Sequence, residues 1–119
     1  EQFVDIEETI EWTMEFPGGA LCRARTSYNE SANEFRADAT KRWFEIGPAF
    51  TYRNLAASTH DGPLQFPEVN QQALQMDDFA RGILQGTPSR VDGDMGRRDM
   101  KVIEAIYRAA RTGQRELVN

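Results

Sequence analysis

The residues best suited to chemistry in this 119-residue sequence are His60 and Asp61, which are adjacent in a segment containing glycine and proline. An imidazole beside a carboxylate is typical of a general base with its orienting group, or of a pair of metal ligands. Adjacent residues of an irregular loop seldom direct both side chains at one reacting atom. We therefore interpret the pair as a surface feature.

Other chemically reactive residues also favour structural interpretations. Asp77 and Asp78 fall in a helical pattern, where successive side chains diverge by about 100°, and acids at a helix start interact favourably with its dipole. Arg97 and Arg98 are interpreted as surface residues. Cys22, the only cysteine, excludes an internal disulfide and is interpreted as packing in a strand. We assign no catalytic, cofactor-binding or metal-binding residue.

Composition narrows the function classes. The net charge is −5 and the basic residues form no block, so a nucleic-acid or anionic-membrane partner has no support. The sequence has no apolar run of about 18 residues, the length typical of a membrane span. No signal peptide is visible at the start. A cytoplasmic location is favoured, and a periplasmic one would require an export signal upstream.

The first half of the sequence predicts strands. Residues 7–16 alternate between apolar and polar types, with Ile10, Trp12, Met14 and Phe16 on one face. The turn Pro17-Gly18-Gly19 follows, and then a second strand. Further strands are predicted at 35–39 and 43–46, with a short fifth at 50–52, and short turns join them as an antiparallel meander. Residues 54–69 read as a surface loop with one edge strand at 64–66.

The second half predicts two helices. Asn70 is the expected N-cap of the first, whose apolar face includes Met76 and Ile83 and which ends at Gly86-Thr87-Pro88. Asp92 or Asp94 is the expected cap of the second, which ends at Gly113. Its expected buried stripe is Met100, Ile103, Tyr107 and Ala110, widened by Val102 and Ile106. Residues 116–118 form a last strand or a tail.

These elements predict an α+β fold, an open antiparallel sheet with two C-terminal helices packed on one face, and a single domain over residues 1–119. Two helices cannot cover both faces of about five strands, and the consecutive residues Trp43 and Phe44 must point to opposite faces. An exposed apolar patch is therefore expected. We name Trp12, Met14 and Phe44 as candidate interface residues and expect a homo-oligomer, with a dimer as the default.

Four segments, in order along the chain, together resemble the carboxy-terminal end of the Gfo/Idh/MocA sugar oxidoreductases. They are 15–20 (EFPGGA), 39–46 (ATKRWFEI), 75–79 (QMDDF) and 103–113 (IEAIYRAARTG). The segment 48–52 (PAFTY) is similar to the glucose–fructose oxidoreductase-like branch. The resemblance implies an NAD(P)-dependent parent enzyme acting on a sugar or sugar-like alcohol. It also implies an N-terminal Rossmann domain and association through the open sheet face.

The sequence departs from that family where the chemistry is done. The Rossmann motif needs glycines at a tight spacing to bring backbone N–H groups to a pyrophosphate, whereas Gly18-Gly19 marks only a hairpin turn. Neither Lys41 nor Lys101 lies in the family's Glu-Lys-Pro context. We therefore expect no cofactor to be bound by this chain, with NAD(P) bound elsewhere in the parent. The alternative is an independent homodimeric α+β module that binds a small ligand.

Overall fold

The computed structural model describes residues 4–118. These residues form two compact units, one ending at Gln71 and the other beginning at Gln72. The first unit contains six strands and the second contains nearly all of both helices. The elements are β1 (Thr9–Glu15), β2 (Leu21–Ser27), β3 (Phe35–Asp38), β4 (Trp43–Ile46), β5 (Ala57–Thr59), β6 (Gly62–Leu64), α1 (Gln71–Gln85) and α2 (Gly93–Thr112). The α+β class, with antiparallel strands and two C-terminal helices, is confirmed.

The first hairpin forms as its alternating pattern predicts. Strand β1 pairs antiparallel with β2, and Trp12 lies opposite Ala24. The turn is closed by two backbone hydrogen bonds, from Phe16 N to Ala20 O at 2.8 Å and from Gly19 N to Phe16 O at 3.0 Å. Gly18 and Gly19 have φ of 99° and 85°, a conformation that glycine adopts without a Cβ clash.

The remaining strands form a separate sheet, which corrects the prediction of one continuous meander. Its order is β3-β4-β5-β6, with antiparallel neighbours throughout, while β1 and β2 form a two-stranded sheet of their own. The tight turn predicted between β3 and β4 is present, and Ala39 N donates to Arg42 O at 2.8 Å. Local periodicity predicts the strands β1 to β4, but it does not predict which strands pair across longer separations.

The predicted loop at 54–69 contains a hairpin that the sequence pattern hides. Strands β5 and β6 pair around a turn at His60 and Asp61, and Pro63 lies opposite Ser58. Because β6 is an edge strand, Pro63 does not need to donate to a further neighbour. The expected edge strand at 64–66 is therefore misplaced, since β6 ends at Leu64.

The short strand predicted at 50–52 is absent from the described structure. Its backbone is held by Asn33 instead: Phe50 N donates to Asn33 Oδ1 at 2.6 Å, and Ala49 N donates to Asn33 O at 3.0 Å. Phe50 and Tyr52 are 74% and 70% exposed. Residues 50–52 thus have the aromatic composition of a strand, but they bond to Asn33 and do not pair with another strand.

The helices begin and end near the predicted residues. Helix α1 follows Asn70 directly and is ended by Gly86, which has φ of 65°. Helix α2 is capped by Asp92, whose Oδ1 accepts from Met95 N at 2.8 Å. Gly113 ends α2 with φ of 65° and donates its N–H to Ala109 O. Residues 116–118 form no strand, so this segment is a tail.

The buried stripe of α2 differs from the predicted one. Met100, Ile103 and Tyr107 are 59%, 42% and 38% exposed, and Ala110 is also exposed. The covered side centres on Ala105, with Ala109 half-buried beside it. Val102 and Ile106, which were expected only to widen the stripe, are also half-buried on this side. Both stripes have helical spacing, so apolar composition alone does not identify the covered one.

Candidate functional site

The sheet β3–β6 has one apolar face. Directly paired residues of antiparallel strands lie on the same face, and the pairs here are Phe35 with Ile46, Ala37 with Phe44, and Ala57 with both Ile46 and Leu64. The rings of Phe35 and Phe44 lie 5.7 Å apart. Phe35, Phe44 and Leu64 are 47%, 40% and 45% exposed. We call these residues, with Ile46, the apolar sheet face.

The opposite face of the same sheet is polar and is organised by Arg36. Its guanidinium contacts Asp38 at 2.9 Å and Glu45 at 2.9 Å, and it lies 4.6 Å from the centre of the Trp43 ring. Trp43 and Phe44 therefore lie on opposite faces, as predicted. The hydrogen bonds from Arg36 lower the pKa of Asp38, and those to Asp38 and Glu45 raise the pKa of Arg36.

The hairpin β1–β2 presents a second apolar surface. Ile10, Trp12 and Met14 share a face with Cys22 and Ala24, and all of them are half-buried. The Trp12 indole Nε1 is buried without a hydrogen-bond partner. The opposite face carries charge, with Arg25 pairing to Glu11 at 3.1 Å. Of the three candidate interface residues, Trp12 and Met14 thus share one face, and Phe44 lies on the other sheet.

The His60–Asp61 pair has a closer geometry than the sequence suggested. His60 Nε2 lies 2.9 Å from Asp61 Oδ1, although loop neighbours seldom align in this way. Asp61 is also engaged by Arg42 at 3.2 Å, and both of these side chains are largely exposed. The three residues join the β3–β4 turn to the β5–β6 turn. The arrangement ties two hairpin tips together.

Several acidic residues of the second unit form surface ion pairs. Asp78 lies 3.7 Å from Arg90, and Asp94 lies 3.2 Å from Arg97. Within residues 4–118, no group of three His, Cys, Asp or Glu side chains is arranged to hold a metal ion. Neither described helix is long and apolar enough to cross a membrane.

A cavity of about 510 Å³ lies between the C-terminal half of α1 and the loop that follows it. The loop folds back onto the helix, and Thr87 N donates to Gly82 O at 3.0 Å. A Cβ at Gly82 would lie 3.2 Å from Thr87 O, which is a tight contact, so a side chain there would require the loop to move by a few tenths of an ångström. The sequence signal for this contact was Gly82, a glycine inside a helical pattern. The sequence analysis did not recognise this signal.

The sequence analysis also missed the residues that share the apolar sheet face with Phe44. Phe35 and Leu64 belong to strands of 4 and 3 residues, which are too short to show a strong alternation. The strand register puts both residues on this face, and it places the ring of Phe35 5.7 Å from that of Phe44. The signal available in the sequence was the pair of aromatic residues at 35 and 44 on either side of a tight turn.

Two comparisons find sugar oxidoreductases to which this chain is similar, although no family model matches it. D-xylose 1-dehydrogenase (NADP(+)) 2 of Haloferax volcanii is 27% identical over 116 residues, which cover 91% of this chain and 36% of that protein. The crystal structure of aldose-aldose oxidoreductase from Caulobacter crescentus, complexed with glycerol, superposes with a TM-score of 0.87 and 36% identity. That match covers 92% of this chain and 35% of the solved one.

The chain thus spans about a third of the length of the proteins it matches. The similarity nevertheless covers about nine-tenths of this chain in both sequence and fold, as the four ordered segments predicted. The two comparisons therefore support the resemblance of this chain, in sequence and in fold, to the C-terminal end of the Gfo/Idh/MocA oxidoreductases.

Proposed function

We propose that this chain is the C-terminal sheet domain of an NAD(P)-dependent oxidoreductase that acts on a sugar or sugar alcohol. In this proposal it supplies scaffold, subunit contacts and part of the substrate pocket, and the rest of the parent protein binds the cofactor and carries the reaction. The observation that carries the proposal is the similarity, over about nine-tenths of the chain, to two enzymes named for aldose chemistry.

The sequence supports this division of labour. It contains no G-x-G-x-x-G fingerprint with which a Rossmann fold holds a pyrophosphate, and no Glu-Lys-Pro motif. The two lysines lie elsewhere: Lys41 is in the β3–β4 turn and Lys101 is in α2. We therefore assign two roles to the Rossmann part of the parent. It binds the nicotinamide cofactor, and it supplies the lysine that interacts with the reacting hydroxyl.

The apolar sheet face supports the scaffold role. Phe35, Phe44 and Leu64 are each 40–47% exposed on one side of a sheet whose other side is polar. A soluble protein seldom leaves such a contiguous patch open unless another surface covers it. We infer that a subunit or domain contact covers this face in the parent protein.

The test compares the complete reading frame with the isolated 119 residues. NADP⁺ and NAD⁺ reduction is followed at 340 nm with a panel of aldoses including D-xylose, and aldose-to-aldose transfer is followed without added cofactor. We expect turnover by the complete protein and none by the 119 residues. Turnover by the short chain would overturn the assignment of catalysis to the rest of the parent. Inactivity of the complete protein on every aldose would overturn the oxidoreductase assignment.

The independent ligand-binding module makes a different prediction in the same experiment. This hypothesis expects a reading frame that holds these 119 residues alone. It also expects them to form a folded dimer without dehydrogenase activity. A Rossmann glycine motif and a Glu-Lys-Pro motif in frame upstream would decide against it.

A further inference from the structure

We draw no further inference here: the strongest candidate, the cavity of about 510 Å³ between the C-terminal half of α1 and the loop that follows it, carries none, because nothing in the structure shows what occupies it and two of the charged side chains that line it, Asp78 and Arg90, already pair with each other.

Discussion

Arg36 orders the polar face of the β3–β6 sheet, because its one guanidinium meets two carboxylates and an indole ring. Its hydrogen bonds to Asp38 lower the pKa of that carboxyl. We expect Arg36→Gln to raise the pKa of Asp38 toward the ordinary aspartate value, as measured by the pH dependence of its side-chain carbonyl ¹³C shift. Arg97→Gln, which removes a pair in α2 instead, should leave Asp38 unchanged.

The sign of the stability effect follows from this direction. A carboxyl whose pKa is lower in the folded state stabilises the fold above its unfolded-state pKa, and that contribution is lost as pH falls through the folded-state value. The effect of Arg36→Gln on the free energy of unfolding should therefore be smallest in acid, where Asp38 is protonated in both the variant and the unmodified protein. An unchanged pKa of Asp38 in the variant would contradict the role given to Arg36.

Asp92 is the residue whose loss should most directly weaken α2, because its Oδ1 accepts the N–H of Met95. We expect Asp92→Ala to cost about 1 kcal/mol of unfolding free energy, as measured by urea denaturation of the complete protein. Asp92→Asn keeps an acceptor oxygen and should cost only a few tenths of a kcal/mol. Equal losses in the two variants would show that the carboxylate charge, not the capping bond, stabilises the helix.

Single residues were predictable from the sequence where their role is local. The Gly113 stop depends on a few neighbouring residues, so their types and spacing were sufficient. For the cap of α2 they left Asp92 and Asp94 open, and the structure selects Asp92. The contact of Arg36 with Trp43 was not predictable, because it depends on how β3 and β4 are registered. The same holds for Asn33, whose backbone and side chain bind a segment 16 and 17 residues away.

Among the elements, the helices and the strands β1 to β4 were predicted, whereas the three-residue strands β5 and β6 were not. The seven-residue strands β1 and β2 show several periods of alternation, and the helices of 15 and 20 residues show several turns. Strand β6 has three residues, and two of them are Gly62 and Pro63, which ordinarily mark a turn. They are tolerated because β6 lies at the sheet edge.

Helix α2 provides the test of which apolar stripe is covered. Ile106 lies beside the buried Ala105, whereas Ile103 is 42% exposed. We expect Ile106→Ala to cost about 1–3 kcal/mol of unfolding free energy in the parent protein, since a partly buried isoleucine loses transfer and packing energy. Ile103→Ala should cost under about 1 kcal/mol. The reverse order, measured by urea denaturation, would show that the side of α2 carrying Ile103 is the covered one.

At the scale of the whole molecule, the sequence analysis predicted that the helices and strands of this chain would leave apolar surface exposed. Of the described residues, only Ala57 and Ala105 are buried apolar side chains, while most large apolar side chains are more than about a third exposed. Which surface covers each face was not predictable, because periodicity describes an element's own faces and not their partners. The single domain expected over residues 1–119 remains a prediction, and the described structure divides into two compact units.

The apolar sheet face gives the last prediction, which concerns assembly. If this face pairs with its copy in a second subunit, twofold symmetry is the default and a stable contact buries about 1,200–2,000 Å². Phe44 is 40% exposed on this face, whereas Trp12 is half-buried and its Nε1 is inaccessible to solvent. Phe44→Asp should therefore place a charge in the interface, and Trp12→Asp should place one inside the fold.

Analytical ultracentrifugation of the parent protein at micromolar concentration distinguishes these outcomes. We expect Phe44→Asp to yield folded monomers, with native far-ultraviolet circular dichroism, and Trp12→Asp to lose folded protein. Glu45→Asp, on the polar face beside Phe44, is the control and should leave the assembly unchanged. If Phe44→Asp assembles like the unmodified protein, the interface lies elsewhere. If Trp12→Asp gives folded monomers instead, the β1–β2 face carries the contact.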